Sequence, residues 1–146
     1  MRIGIVGSEA AKFTPRGASS ARTLIRSLLQ PGDEVVSGGC HLGGIDIWAV
    51  EEAHMLDLYT HQYLPAGHSW EYYKERNILI AENSDHVVCL TVNRLSPAFQ
   101  FPPQMKNFDG YCYHCKTDAH IKSGGCWTVK YAKKIGIPGD VLVVEQ

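Results

Sequence analysis

Apolar positions along this chain follow two periods, and the changes between them mark out elements. Residues 2–6 form a short β-type run that stops at Gly7-Ser8, where the chain can turn tightly. Residues 9–18 are small and polar and contain Pro15 and Gly17, which predicts a loop. From Ser19 the apolar residues Ala21, Leu24, Ile25, Leu28 and Leu29 recur at spacings of three and four. That predicts a helix capped by Ser19 or Ser20 and ended by Pro31-Gly32. Glu34-Val35-Val36-Ser37 reads as a second strand running into the glycine-rich stretch Gly38 to Gly44. A helix over about residues 45–54 follows, with Asp46 in its first turn. Residues 56–64 are β-rich and predict a third strand, Pro65-Ala66-Gly67 a turn, and His68 or Ser69 the start of a helix reaching about residue 83. Residues 86–91 predict the fourth strand. After an aperiodic stretch at 93–122, Ser123-Gly124-Gly125 opens a last helix to about residue 135, and residues 141–144 form the final strand.

Strands alternating with helices predict an α/β domain, Rossmann-like, with an open, mainly parallel five-stranded sheet. Helices are expected on both faces and an irregular insertion before the last helix. A chain of 146 residues fits one domain of this kind, and 45% apolar residues suffice for a core. Basic and acidic residues number 14 and 15. Proteins that live on the nucleic-acid backbone usually carry a basic surplus, so nucleic acid is not the expected partner. No segment approaches the roughly 18 apolar residues of a membrane span. The N-terminus runs straight into Ile3-Gly4-Ile5-Val6 without an export signal, so a cytoplasmic protein is expected. Five cysteines, an odd number, then point to free thiols or metal ligands rather than a disulfide framework.

Three turns carry small residues: Gly7-Ser8, then Gly38, Gly39, Gly43 and Gly44, then Ser123-Gly124-Gly125. In an open parallel sheet such turns gather at the carboxyl ends of the strands, where ligands bind at the reversal of strand order. Glycine lets a backbone approach a bulky anion, and a helix N-terminus offers unpaired N–H donors. Glycine also serves tight turns and close helix–strand packing. No G-x-G-x-x-G follows the first strand and no acidic residue ends the second, which disfavours NAD-type chemistry; the G-x-x-x-x-G-K-[ST] loop of nucleotide triphosphatases is missing too.

Several side chains join this constellation. Asp46 could accept hydrogen bonds from a ribose or act as a catalytic carboxylate; it could equally stabilise its helix N-terminus, worth about 0.3–1 kcal/mol. Arg76 could meet a phosphate in bidentate fashion or pair with Glu75 or Glu52 on the surface. Asn77 falls on the inward stripe of its helix with Tyr73, Ile80, Ala81 and Ser84, where an amide needs partners. Ser123 and Thr128 lie at the expected phosphate turn, although Ser123 is also a natural N-cap. Trp70, Tyr72 and Tyr73 suit packing or stacking on a base. Glu51, Glu82 and Asp85 are further carboxylates an enzyme could use, and of Glu51 and Glu52, further along the Asp46 helix, at least one must face solvent.

The sharpest chemical signal is Cys112-x2-Cys115-x4-His120-x5-Cys126, one residue longer than the C-x2-C-x4-H-x4-C knuckle. Two cysteines so spaced can grip one tetrahedral ion, and a downstream His and Cys complete four ligands. Zinc would explain how the aperiodic stretch is ordered. His114 competes as a ligand. A helix N-terminus could instead make Cys126 a reactive thiol.

Val36-Ser37-Gly38-Gly39 with Gly43, Gly44 and Asp46 resembles the S-G-G-A-x-G-x-D turn of the SLOG superfamily. Arg76-Asn77-x2-Ile80-Ala81-x2-Ser84-Asp85-x-Val87-Val88 resembles a segment of its DprA branch, and Ser123-Gly124-Gly125 with Thr128 and Ala132 a third motif. Gly7-Ser8 fits the family's first turn, with Glu9 where arginine is usual. The resemblance covers most of the chain outside residues 93–122. It implies a pocket for a nucleotide or nucleotide-derived ligand in a sensor or carrier, often in a homo-dimer or higher assembly. Its LOG branch would imply hydrolysis or transfer at the N-glycosidic bond of a nucleoside phosphate, but Tyr131 stands where that branch has its catalytic glutamate. Its DprA branch would imply binding of single-stranded nucleic acid.

Overall fold

The computed structural model describes residues 1–103 and 108–146. Five strands form one open sheet: β1 (Arg2–Gly7), β2 (Glu34–Ser37), β3 (Tyr59–Gln62), β4 (His86–Val92) and β5 (Gly139–Val144). Their order is β3-β2-β1-β4-β5 and every pairing is parallel. Four helices connect them: α1 (Pro15–Leu28), α2 (Ile45–Met55), α3 (Trp70–Glu82) and α4 (Gly124–Lys134). The expected Rossmann-like α/β architecture is present, with the insertion between β4 and α4.

Period-two alternation along the strands divides the core. Ile3, Ile5, Val35, Val88 and Leu90 point to one face, where they meet Ala21 and Ile25 of α1 and Ala49 and Ala53 of α2. Val6, Val36, Val87 and Cys89 point to the other, against Ile80 and Ala81 of α3 and Val129 and Ala132 of α4. A sheet buried on both faces explains why β1 and β4 read as nearly continuous apolar runs.

Two sequence expectations need correction. α1 starts at Pro15 rather than at Ser19, so residues 15–18 are helix, and a 3₁₀ turn (Ala10–Lys12) occupies part of the remaining stretch. Thr14, not Ser19 or Ser20, is the N-cap: its side chain accepts the Gly17 amide at 2.9 Å. Pro15 at the first helical position has no N–H to leave unpaired and its φ is already helical. The third strand is shorter than residues 56–64; Leu56–Leu58 close α2, whose final turn takes Asp57 to φ 55°. Within the insertion expected at 93–122, residues 104–107 lie outside those described.

Glu52 has a structural role. It is almost fully buried and binds Arg22 at 3.1 Å and Arg26 at 2.9 Å, tying α2 to α1. Glu51 joins Arg22 from the exposed side. Both arginines are partly exposed, so water screens the pair and the benefit falls below that of a fully buried bridge. Glu52→Ala is expected to lower unfolding free energy by about 1–3 kcal/mol in denaturant titration. Ligand binding should be unchanged, because Glu52 does not reach the cavity described next.

Candidate functional site

The strand order reverses at β1, so the connections leaving β1 and β4 diverge to opposite faces of the sheet and open a crevice at their carboxyl ends. A cavity of about 700 Å³ lies at this edge. Its walls come from the turns after β1, β2 and β3, from one side of α3, and from the insertion leading into α4.

Of the residues predicted from sequence, Gly7, Ser8, Gly39, Asp46, Arg76, Asn77, Ser123, Gly124 and Gly125 line this cavity; Gly38, Gly43, Gly44 and Thr128 do not. Most of the glycines have packing reasons. A Cβ on Gly7 would sit 2.1 Å from the Leu90 carbonyl, one on Gly44 2.3 Å from the Ser8 carbonyl, and one on Gly125 2.7 Å from the Cys89 sulfur. Gly38 is crowded by Arg76. Gly124 differs: it is exposed, and a Cβ there would meet nothing within 4 Å, because the residue faces open cavity at the first turn of α4. Ser123 caps that helix, its Oγ accepting the Gly125 amide at 3.1 Å. Thr128 is fully buried in α4, and its hydroxyl has no hydrogen-bond partner among the described residues.

Asp46 is the buried carboxylate of the site. Burial pushes its pKa up from 3.8 to about 6, against the Arg76 charge and the Cys40 and Gly7 amides, which favour ionisation. The Cys40 N–H donates to it at 3.3 Å. Arg76 is already engaged: one nitrogen donates to the Gly38 carbonyl at 2.6 Å and another to Asn77 Oδ1 at 2.8 Å, while the guanidinium lies over Tyr73. It joins α3 to the turn after β2 and lends charge to the cavity, rather than pairing with Glu75 or Glu52. Ser8 is held by a 3.0 Å bond to Thr91.

Lys12 and Lys122, which no motif or spacing singles out, also line this space. Lys12 is 9% exposed, and burial lowers its pKa, opposed by the nearby Glu9 carboxylate. Its only signal was membership of a polar loop; a solvent-exposed lysine is the default there.

The insertion folds back on this wall. Cys112 and Thr117 exchange both backbone hydrogen bonds across a tight turn, and Lys116 within it takes φ 56°. This brings Cys112, Cys115, His120 and Cys126 together, with their ligand atoms all within 4.8 Å of one another. Such a set fits a tetrahedral ion, whose bonds of about 2.0–2.3 Å place neighbouring ligands roughly 3.5–3.8 Å apart. Three of the four are buried. The cluster could hold a metal such as zinc. Crowding and burial raise the Cys126 thiol, chiefly through Cys89, whose sulfur is 4.0 Å away, and push Cys115 up to about 12, chiefly through burial. The expectation of a thiol activated by the helix N-terminus is therefore reversed for Cys126. His114 stays outside the cluster and, with Tyr113, faces the cavity instead.

No helix among the described residues is long and apolar enough to cross a membrane. No protein-family model, curated protein or solved structure matches the chain.

Proposed function

We propose that this protein binds a nucleotide or nucleotide-derived ligand at the carboxyl edge of its sheet, as a sensor or carrier. The observation that carries the reading is the sharing of one cavity by a buried carboxylate, Asp46, and the open N-terminus of α4 at Gly124. The first suits ribose hydroxyls, which donate to a carboxylate; the second suits phosphate oxygens, which accept from N–H groups. About 700 Å³ lies within the range of small-molecule and cofactor sites. Aromatic rings at Trp70, Tyr73 and Tyr113 line the same space and offer apolar surface to a base. The SLOG-like motifs at Val36–Asp46, Arg76–Val88 and Ser123–Ala132 agree with this reading, since each contributes residues to the cavity wall.

The proposal includes a structural zinc held by Cys112, Cys115, His120 and Cys126. The donor set is the three-thiolate, one-imidazole type of closed structural sites. With no vacant ligand position it orders the insertion and takes no part in chemistry. Self-association is also proposed: Met55, Leu56 and Tyr59 are exposed just before and at the start of β3, one of the two edge strands of the sheet.

Native mass spectrometry of the purified protein, before and after mild denaturation, reads metal, retained ligand and subunit number together. One zinc per chain and a nucleotide-sized adduct are expected. Calorimetric titration with a panel of nucleoside monophosphates should give at least one ligand of micromolar affinity; a panel with no binder would refute the nucleotide reading.

A second reading, cleavage or transfer at the N-glycosidic bond of a nucleoside phosphate, draws support from Asp46. A carboxyl with a pKa of about 6 is suited to proton transfer near neutral pH. Release of free base during incubation with the bound nucleotide distinguishes it from binding alone.

A further inference from the structure

We infer that the end of the cavity formed by Lys12, Lys122 and the first turn of α4 is a subsite for a phosphomonoester dianion, so that the ligand ends in a terminal phosphate rather than a phosphodiester or pyrophosphate bridge. The inference rests on reading the cavity as a ligand site and adds which chemical group it takes.

Lys12 carries the argument. Its side chain is nine-tenths buried, and no carboxylate among the described residues forms an ion pair with it. Its ammonium has one long contact, 3.4 Å to the Lys122 carbonyl. A buried ammonium with so few partners is costly unless something else balances it. Nor is its position accidental. The Lys12 carbonyl accepts the Ser96 amide at 3.0 Å and the Gln146 side chain at 2.8 Å, which pins the backbone from two directions. The lysine is thus held in place at the wall of the cavity.

Two further features converge on the same end. Lys122 supplies a second ammonium, placed 4.4 Å from the centre of the Tyr113 ring. Ser123, its neighbour, caps α4, and Gly124 leaves the first turn of that helix uncovered. The Gly124 N–H and two ammonium ions around one space match a group carrying two negative charges and three terminal oxygens, while the Gly125 and Cys126 amides are already held by Ser123. A diester carries one charge and only two free oxygens, so it offers these donors fewer acceptors and a weaker attraction. Burial of Lys12 also lowers its pKa, a cost that an incoming dianion relieves.

The test uses the full metal-loaded chain at about pH 7.5, above the second phosphate pKa of about 6. Inorganic phosphate, methyl phosphate and dimethyl phosphate are titrated and binding is followed by phosphorus and protein NMR. Phosphate and methyl phosphate are expected to bind, and dimethyl phosphate about tenfold more weakly or worse. Lys12→Met, which keeps the apolar stem, should lose methyl phosphate about tenfold or more while its thermal midpoint stays equal or rises. Should that variant not fold, Lys122→Met, on a less buried side chain, is expected to show the same preference reduced. Equal binding of the mono- and diester, or undiminished binding by the lysine variants, overturns the inference. Methyl phosphate that binds while every nucleoside monophosphate binds no more tightly upholds this subsite and removes the nucleotide reading. A nucleoside that binds while methyl phosphate does not does the reverse.

Discussion

Stripping the metal with a strong zinc chelator under reducing conditions is expected to lower the thermal midpoint by roughly 10 °C and to abolish ligand binding. Loss of a structural metal belongs to the few changes that remove about 4 kcal/mol or more, and in a chain of this size each kcal/mol shifts the midpoint by about 2–4 °C. The reason lies in where the ligands sit. Cys112 and Cys115 come from the turn that carries Tyr113 and His114, and His120 and Cys126 bracket Lys122 and Ser123. One ion would fasten both ends of the segment that forms a whole wall of the cavity. Without it, three buried polar groups face one another with no cation among them, and the wall has few other ties. Ile121 still docks on β4, donating to the Val92 carbonyl at 2.8 Å and accepting from Thr91 at 2.6 Å. The sheet should therefore survive while the insertion loosens. Hydrogen exchange will show this as loss of protection confined to residues 108–126. Cys112→Ser should reproduce the effect. If the purified protein carries no metal and the chelator changes neither midpoint nor exchange, the four residues are only neighbours.

Asp46→Asn is expected to stabilise the protein at neutral pH and to weaken ligand binding at least tenfold. The sign follows from the direction of the shift. The folded pKa, about 6, lies above the ordinary 3.8. A carboxyl raised in this way contributes its stability in full below pH 3.8 and loses it as pH rises through 6. At pH 7.5 the ionised group is a net burden of roughly 2–3 kcal/mol, which the neutral amide avoids. Wild-type unfolding free energy should therefore decline between about pH 4 and pH 7 relative to the variant, giving a flatter variant profile. Binding moves the other way, since a hydrogen bond from a hydroxyl to a carboxylate contributes about 1.5–3 kcal/mol and the amide oxygen offers less. Stability gained where binding is lost marks a residue kept for function. A variant that is less stable at pH 7.5 would instead make Asp46 a support for the first turn of α2.

The elements were legible because their signals are local. Alternation of β and α periods fixed a parallel sheet, and the cysteine spacing fixed a turn that could close on one ion. Thr14-Pro15 escapes a reading that treats proline and glycine as breakers, whereas proline at the first helical position is a start signal. The glycines were found for a mixed reason. Gly7, Gly44 and Gly125 answer to close approach of neighbouring backbone and side chains, and Gly124 is the one whose missing side chain opens onto the cavity. Lys12 could not be found at all from its surroundings in the chain. Its backbone carbonyl is held by Ser96 and Gln146 and its ammonium meets the Lys122 carbonyl, all residues that only the folded chain brings beside it. Glu52 shows the converse: a carboxylate among charges on a helix, and yet one of the most buried residues once α1 is laid against α2.

The central place of β1 has a consequence during synthesis. Its first neighbour, β2, follows closely, with Arg2 opposite Glu34. Its other neighbour is β4, where Ile3 faces His86, so that edge waits for a further stretch of chain. At about 5–20 residues per second, a ribosome needs several seconds to deliver it. Throughout that interval β1 has a row of unpaired backbone groups on that edge and the apolar side chain of Val6, whose covering helices α3 and α4 follow later, a surface suited to capture by a chaperone or by a second nascent chain.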